Sequence, residues 1–151
     1  MKKILALVLL LSLTACGHGP ARRLYPPKAS VQELAAQADG HWKLTIRLQN
    51  FSNVPMTFEA LDAKLIVADQ DAGRVMFNPG LTVGPESADV ITTTITPGFA
   101  AKSAVAAALA ARRPLRYSLE GKITSRDPRR EDDFKYDSVL DPVPGLNGVM
   151  R

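Results

Sequence analysis

Lys43-Leu44-Thr45-Ile46-Arg47-Leu48-Gln49 alternates polar and apolar side chains without a break. A strand sends successive side chains to opposite faces, so Leu44, Ile46 and Leu48 share one buried face while Lys43, Thr45, Arg47 and Gln49 face water. The same period of two returns in Leu61, Ala63, Leu65 and Val67, in Leu115, Tyr117, Leu119, Gly121 and Ile123, and in Phe134, Tyr136, Ser138 and Leu140. Asp89 to Thr96 adds a β-rich run with three consecutive threonines beside Val90, Ile91 and Ile95.

Turn chemistry separates these runs. It falls at Asn50-Phe51-Ser52-Asn53 ahead of Pro55, at Asp69-Gln70-Asp71-Ala72-Gly73, at Asn78-Pro79-Gly80, at Gly84-Pro85 and across Ser125 to Asp133. Short strands at this spacing predict an all-β fold, an immunoglobulin- or fibronectin-III-like antiparallel sandwich. One helix interrupts the pattern, from Gly98 to Arg113. Thr96 suits its N-cap, Pro97 its first turn, and Pro114 its end, with Phe99, Val105, Ala106 and Leu109 as its expected buried contacts.

The N-terminus carries a different signal. Lys2 and Lys3 precede an apolar run from Ile4 to Leu13 that only Ser12 interrupts, and Leu13-Thr14-Ala15-Cys16 follows as a lipobox. A membrane-spanning helix needs about 20 apolar residues; this run is half that length and reads as an export signal. Leu13, Thr14 and Ala15 are the expected recognition residues for the signal peptidase. Cys16, the one cysteine of the chain, is the expected lipid attachment site, carrying diacylglyceryl and N-acyl groups and no other cofactor. Multiple acyl chains anchor stably where a single chain is marginal. Gly17, rather than an aspartate, follows the cysteine, which points to the periplasmic face of the outer membrane.

Removing residues 1–15 from the 151 leaves 136, the size of one domain, and lowers the formal charge from +4 to +2 because Lys2 and Lys3 go with them. A near-neutral domain gives no electrostatic reason to expect nucleic acid as a partner. No disulfide is possible within it, so the core must hold it together. The expected organisation is a signal peptide over 1–15, a lipidated flexible tether over 16–30, a sandwich domain over 31–141 and an extended or loosely packed tail over 142–151. The tether assignment rests on three prolines, two glycines and four basic residues in Gly17 to Ser30, without apolar periodicity.

Catalytic and metal groupings are sparse. His18 falls in the tether and His41 beside Trp42 at a turn, so the two histidines do not form a pair. Asp69-Gln70-Asp71-Ala72-Gly73 begins like a calcium loop, but Gly73 stands where a third ligand belongs and no glutamate closes the twelfth position. Ser87 or Ser103 acting with His41 would lack a triad order or a nucleophile elbow. Mixed charges over Arg126 to Asp133 suit a solvated hairpin better than a phosphate site. The expectation is a protein without catalytic residues, metal or small-molecule substrate, with Trp42 and Tyr117 in core or strand-edge roles rather than as a ligand platform.

The order of motifs resembles the late-embryogenesis-abundant group 2 (LEA type 2) family, which includes the water-stress and hypersensitive-response (WHy) domain. The residues that carry the resemblance are Trp42 to Asn50 followed by the Pro55 turn, Leu61 to Val67, Pro79 to Val83 with the threonine-rich strand, and Leu115 to Gly121. The resemblance spans roughly residues 31–140. It implies an immunoglobulin-like sandwich with a short helix ahead of the strand bearing Tyr117 and Gly121, no catalytic residues, and a role in desiccation or stress tolerance for a membrane-anchored lipoprotein. In this sequence Phe51-Ser52-Asn53-Val54 separates Asn50 from Pro55, where many relatives go directly into an Asn-Pro turn. An alternative function is a periplasmic carrier of lipid or peptide, or an envelope-assembly accessory protein, with the alanine-rich helix gating an apolar crevice. In either reading the partners are the membrane, through the lipid, and an envelope protein.

Overall fold

The computed structural model describes residue 19 and residues 21–151. The signal segment and the lipobox residues Leu13, Thr14, Ala15 and Cys16 lie outside the described residues, as does His18. Among the described residues the chain forms β1 (Lys28–Ala36), β2 (Trp42–Gln49), β3 (Met56–Val67), β4 (Gln70–Phe77), β5 (Leu81–Val83), β6 (Ala88–Ile95), α1 (Phe99–Ala111), β7 (Leu115–Asp127), β8 (Arg129–Leu140) and β9 (Val149–Met150).

The strands pair antiparallel into two sheets, one ordered β6-β2-β1-β9 and the other β4-β3-β7-β8, with β5 continuing the β4 edge of β3 at Met56–Phe58. Register follows the apolar alternation. Ile46 sits opposite Val31 on one side and Ile91 on the other; Leu65 sits opposite Leu119. A slip of one residue would turn every one of these side chains into water. Trp42, Leu44, Ile46 and Leu48 from one sheet meet Leu61, Leu65, Leu119 and Ile123 from the other in a single buried cluster. The all-β, two-sheet sandwich with one short helix read from the sequence is the fold observed.

Two residues of β7 fix its place, one within its own sheet and one across the sandwich. At Gly121 a methyl group would lie 2.1 Å from the Asp62 carbonyl oxygen and 2.5 Å from Ala63 Cα, so only glycine lets β7 lie this close to β3. Tyr117 crosses to the opposite sheet. Its hydroxyl accepts a hydrogen bond from the Val31 amide and donates one to the Val31 carbonyl, both at 3.1 Å. β1 is irregular between Val31 and Glu33, and β9 pairs only with Leu34 and Ala35, so the phenol stands where a neighbouring strand would otherwise satisfy Val31. Burial pushes the Tyr117 hydroxyl up to about 12.

Several boundaries differ from those expected. The segment assigned to a tether over 16–30 is ordered from residue 21, with Pro27 buried and Ala29 fully buried in β1. The tail over 142–151 contains β9, whose Met150 is fully buried and opposes Leu34. The charged run Ser125 to Asp133, read as a loop, is mostly strand. Outward-facing Arg129, Glu131 and Asp133 are exposed, while inward-facing Arg130 pairs bidentately with Asp132 and so offsets its burial. The Asp127–Pro128 peptide at this turn is cis. In α1 the N-cap is Gly98 without a side-chain cap, Pro97 is buried ahead of the helix, and Phe99 is 85% exposed rather than packed. Val105 is buried as expected, Leu109 is half-buried and Ala106 is exposed; Ala101 and Ala108 complete the buried stripe, because small side chains let the helix lie close over β3 and β4.

Candidate functional site

The two ends of the sandwich differ in construction. At the entry end, the β2–β3 loop holds three polar residues in fixed geometry. Asn50 is fully buried; its Nδ2 donates to the carbonyls of Val54 at 2.8 Å, Gly84 at 2.9 Å and Val83 at 3.3 Å, and its Oδ1 accepts from the Ser52 amide at 2.9 Å. One side chain thereby joins the β2–β3 loop to the β5–β6 turn.

Ser52 and Asn53 then capture the incoming chain. Ser52 Oγ accepts from the Tyr25 amide at 2.9 Å and donates to the Tyr25 carbonyl at 3.3 Å. Asn53 accepts from the Arg23 amide at 2.7 Å through Oδ1 and donates to the Ala21 carbonyl at 2.8 Å through Nδ2. Its own amide donates to the Arg23 carbonyl at 3.2 Å. These side chains supply the backbone partners that Ala21 to Tyr25 lack by not being in a sheet, and this is why the segment is ordered despite its prolines. Sequence analysis marks Asn50-Phe51-Ser52-Asn53 as a turn and misses its second role. The available signal is the density of amide and hydroxyl side chains right after a strand.

The helix end is held by apolar packing and tight turns. β9 returns alongside β1, Val143 donates to the Val149 carbonyl at 2.9 Å, and Gly148 adopts a left-handed φ of +76° where a methyl would meet the Ala36 carbonyl at 2.9 Å. Between α1 and this C-terminal segment lies an open cleft of about 500 Å³, lined by Leu109, Arg112, Pro142, Val143, Leu146 and Asn147.

The remaining candidates are dispersed. His41 sits at the helix end in the β1–β2 turn, its Nδ1 3.3 Å from Asp39 Oδ2, and its backbone amide holds the Asp39 carboxyl below the usual carboxylate range. Ser87 lies at the entry end, donating to the Gly84 carbonyl at 2.8 Å. The full length of β2 separates them, about 25 Å at 3.3 Å per residue. Ser103 is exposed on α1. The Asp71 carboxylate accepts from the Gly73 amide at 2.8 Å and pairs with Lys64 at 3.1 Å, an arrangement that closes a turn; the Lys64 ammonium lowers its pKa. Among the described residues no group of three His, Cys, Asp or Glu side chains is placed to hold a metal. No described helix is long and apolar enough to cross a membrane.

The outer face of the β4-β3-β7-β8 sheet is a ladder of opposite charges: Asp62 with Arg74 at 2.6 Å, Lys122 with Glu131 at 2.6 Å, and Glu120 with Lys135 at 3.8 Å. Exposed pairs of this kind stabilise by about 0–1 kcal/mol each. Their larger effect is to make β8, an edge strand, unattractive to another strand.

This architecture defines the class, an antiparallel β-sandwich closed by a helix at one end. No protein-family model matches the chain, and no curated protein matches it. Among solved structures it is similar to the solution structure of AT1g01470 from Arabidopsis thaliana, with a TM-score of 0.58 at 10% identity over 80% of this chain and 85% of that one. A crystal structure of a protein from Archaeoglobus fulgidus aligns with a TM-score of 0.45 at 14% identity, covering 80% of this chain and 98% of the other. The Arabidopsis likeness shows a shared fold.

Proposed function

We propose that the chain is a lipid-anchored, non-catalytic envelope protein of the LEA type 2/WHy kind, acting in desiccation or other stress protection or in envelope maintenance. The observation that carries the anchor is Leu13-Thr14-Ala15-Cys16 standing a few residues ahead of a domain whose chain enters at one end. Two of the residues that carry the family resemblance have structural roles in this sandwich. On the strand after the helix, Tyr117 bonds across to the other sheet and Gly121 lets that strand lie close against its neighbour β3. The outer-membrane location and the immunoglobulin- or fibronectin-like reading of the sandwich belong to the same proposal.

The test is survival of a deletion strain under drying and osmotic shock, complemented with wild type or Cys16→Ala. Tolerance restored by wild type and not by Cys16→Ala supports a stress role that depends on the membrane. Unchanged survival of the deletion strain removes it.

One observation favours a second reading, a carrier of lipid or peptide: Leu109 on α1 lines the cleft of about 500 Å³ with the apolar Val143 and Leu146. Native mass spectrometry of protein extracted from membranes decides this, and protein that carries no co-purifying ligand counts against it.

A further inference from the structure

We infer that the entry end of the sandwich is a bilayer-contacting surface, in which Leu24, Tyr25 and Phe51 enter the headgroup region and the neighbouring arginines meet anionic phosphates. The inference rests on the lipid-anchor reading and adds to it an orientation and a set of contact residues.

Reach places this end at the membrane. Because Ser52 and Asn53 dock the chain from Ala21 onward, the free connection to Cys16 is five residue steps rather than fourteen. Fully extended it spans at most about 17 Å. The polar layer of each leaflet is about 5–8 Å deep, so the entry end stays within about 10 Å of the membrane surface, close to one Debye length.

The side chains presented there suit a lipid boundary. Leu24, Tyr25 and Phe51 are 43%, 50% and 38% exposed. They project from the docked segment and from the loop that docks it. Tyrosine, with an apolar ring and a polar tip, is suited to the boundary between lipid and water.

Charge adds to this. Arg22, Arg23, Lys28, Arg126 and Arg129 are exposed at this end, together with the acidic Glu59, Glu86, Asp89 and Asp127. Among the described residues none of these four arginines is in an ion pair. Lys43, Lys102, Arg112, Arg113 and Arg116, toward the helix end, are likewise outside the ion pairs, so it is the short connection that brings the entry-end arginines, and not these, to the membrane. Arginines outside ion pairs beside exposed apolar groups suit contact with anionic phospholipid headgroups.

The helix end provides an internal control. Phe99 and Leu146 are also exposed, at 85% and 49%. They lie at the other end of the strands from the docked Ala21, farther than the short connection reaches.

The experiment uses the chain from residue 16 with Cys16→Ser, which retains all described core residues, between Ala29 and Met150. Co-sedimentation with mixed phosphatidylethanolamine–phosphatidylglycerol vesicles is measured for this chain, for the added triple change Leu24→Ser/Tyr25→Ser/Phe51→Ser, and for Phe99→Ser. The docking bonds at residue 25 are made by backbone, so the triple variant keeps its fold, which thermal melting checks. The expected result is weak, salt-sensitive binding that falls about tenfold or more in the triple variant and is unchanged by Phe99→Ser. Absence of binding, or equal binding in all three chains, overturns the inference. Lipidation is read separately from the mass of the wild-type protein extracted from membranes. A bare Cys16 sinks the anchor reading while the vesicle result stands; a lipidated Cys16 with indifferent vesicles sinks the contact surface alone.

Discussion

The entry end and the helix end solve the same problem, sealing one edge of an open sandwich, by different means. At the entry end buried polar side chains do the work: Asn50 and Ser52 are fully buried, and their hydrogen-bonding atoms meet backbone partners. At the helix end the seal is apolar, made by Ala101, Val105 and Ala108 of α1 and by Met150 of β9. A polar seal is directional and fixes one geometry, since a lost partner leaves a desolvated group behind. An apolar seal is less directional and tolerates a cleft of about 500 Å³ beside it. The difference teaches that this domain is rigid where its chain enters and adaptable where it is farthest from that point.

The comparison can be broken first in the middle, where both ends depend on the same pair of strands. Gly121→Ala places a methyl against the backbone of Asp62 and Ala63 and should cost about 3 kcal/mol or more, exceeding a change at either end. Urea unfolding checks this; a loss under about 1 kcal/mol would show that β3 and β7 can separate without penalty.

Paired substitutions sharpen the contrast between the ends. Asn50→Ala strands the carbonyls of Val54, Val83 and Gly84 and should cost about 2–3 kcal/mol, with hydrogen exchange accelerated at Ala21 to Tyr25. Met150→Ala removes a fully buried side chain and should cost about 2 kcal/mol or more, with faster exchange in β1 and β9 while the entry end stays protected. Equal loosening at both ends in either variant would show one cooperative unit and remove the distinction.

The smallest effect is set by pH. Tyr117 is held neutral up to about 12, above its ordinary value of 10.0. Between those values the unfolded chain has released the phenolic proton and the folded chain has not, so stability falls as pH rises through this window. Tyr117→Phe should cost about 1–2 kcal/mol at neutral pH by leaving the Val31 amide and carbonyl without a partner. It should also flatten the alkaline decline, which thermal melts of both proteins across the window would show. Parallel declines would assign the loss to lysine deprotonation instead.

Strand alternation, turn residues and the helix were legible along the chain because each is a local property. Leu44, Ile46 and Leu48 need only their spacing to declare a face, and Pro114 needs only its ring to close a helix. The lipobox reading is local in the same sense. Their places on strands gave Trp42 and Tyr117 a core or strand-edge role, and the structure decides for the core in both.

What stayed hidden depends on partners distant in sequence. Ala21 to Tyr25 carries no periodic signal, and its order comes from Ser52 and Asn53 about thirty residues away. Met150 belongs to the core only because β1 leaves an edge open beside Leu34. Arg130 and Asp132 read as solvated loop until β8 turns both inward, where each becomes the other's counter-ion. Phe99 was expected inside by its hydrophobicity and lies outside because α1 approaches the sheet through its alanines. Periodicity fixes which face of an element is apolar, since that follows from backbone geometry alone. Where a chain end docks, which polar group finds a partner and which apolar one does not depend on the three-dimensional meeting of segments, and only the assembled sandwich decides it.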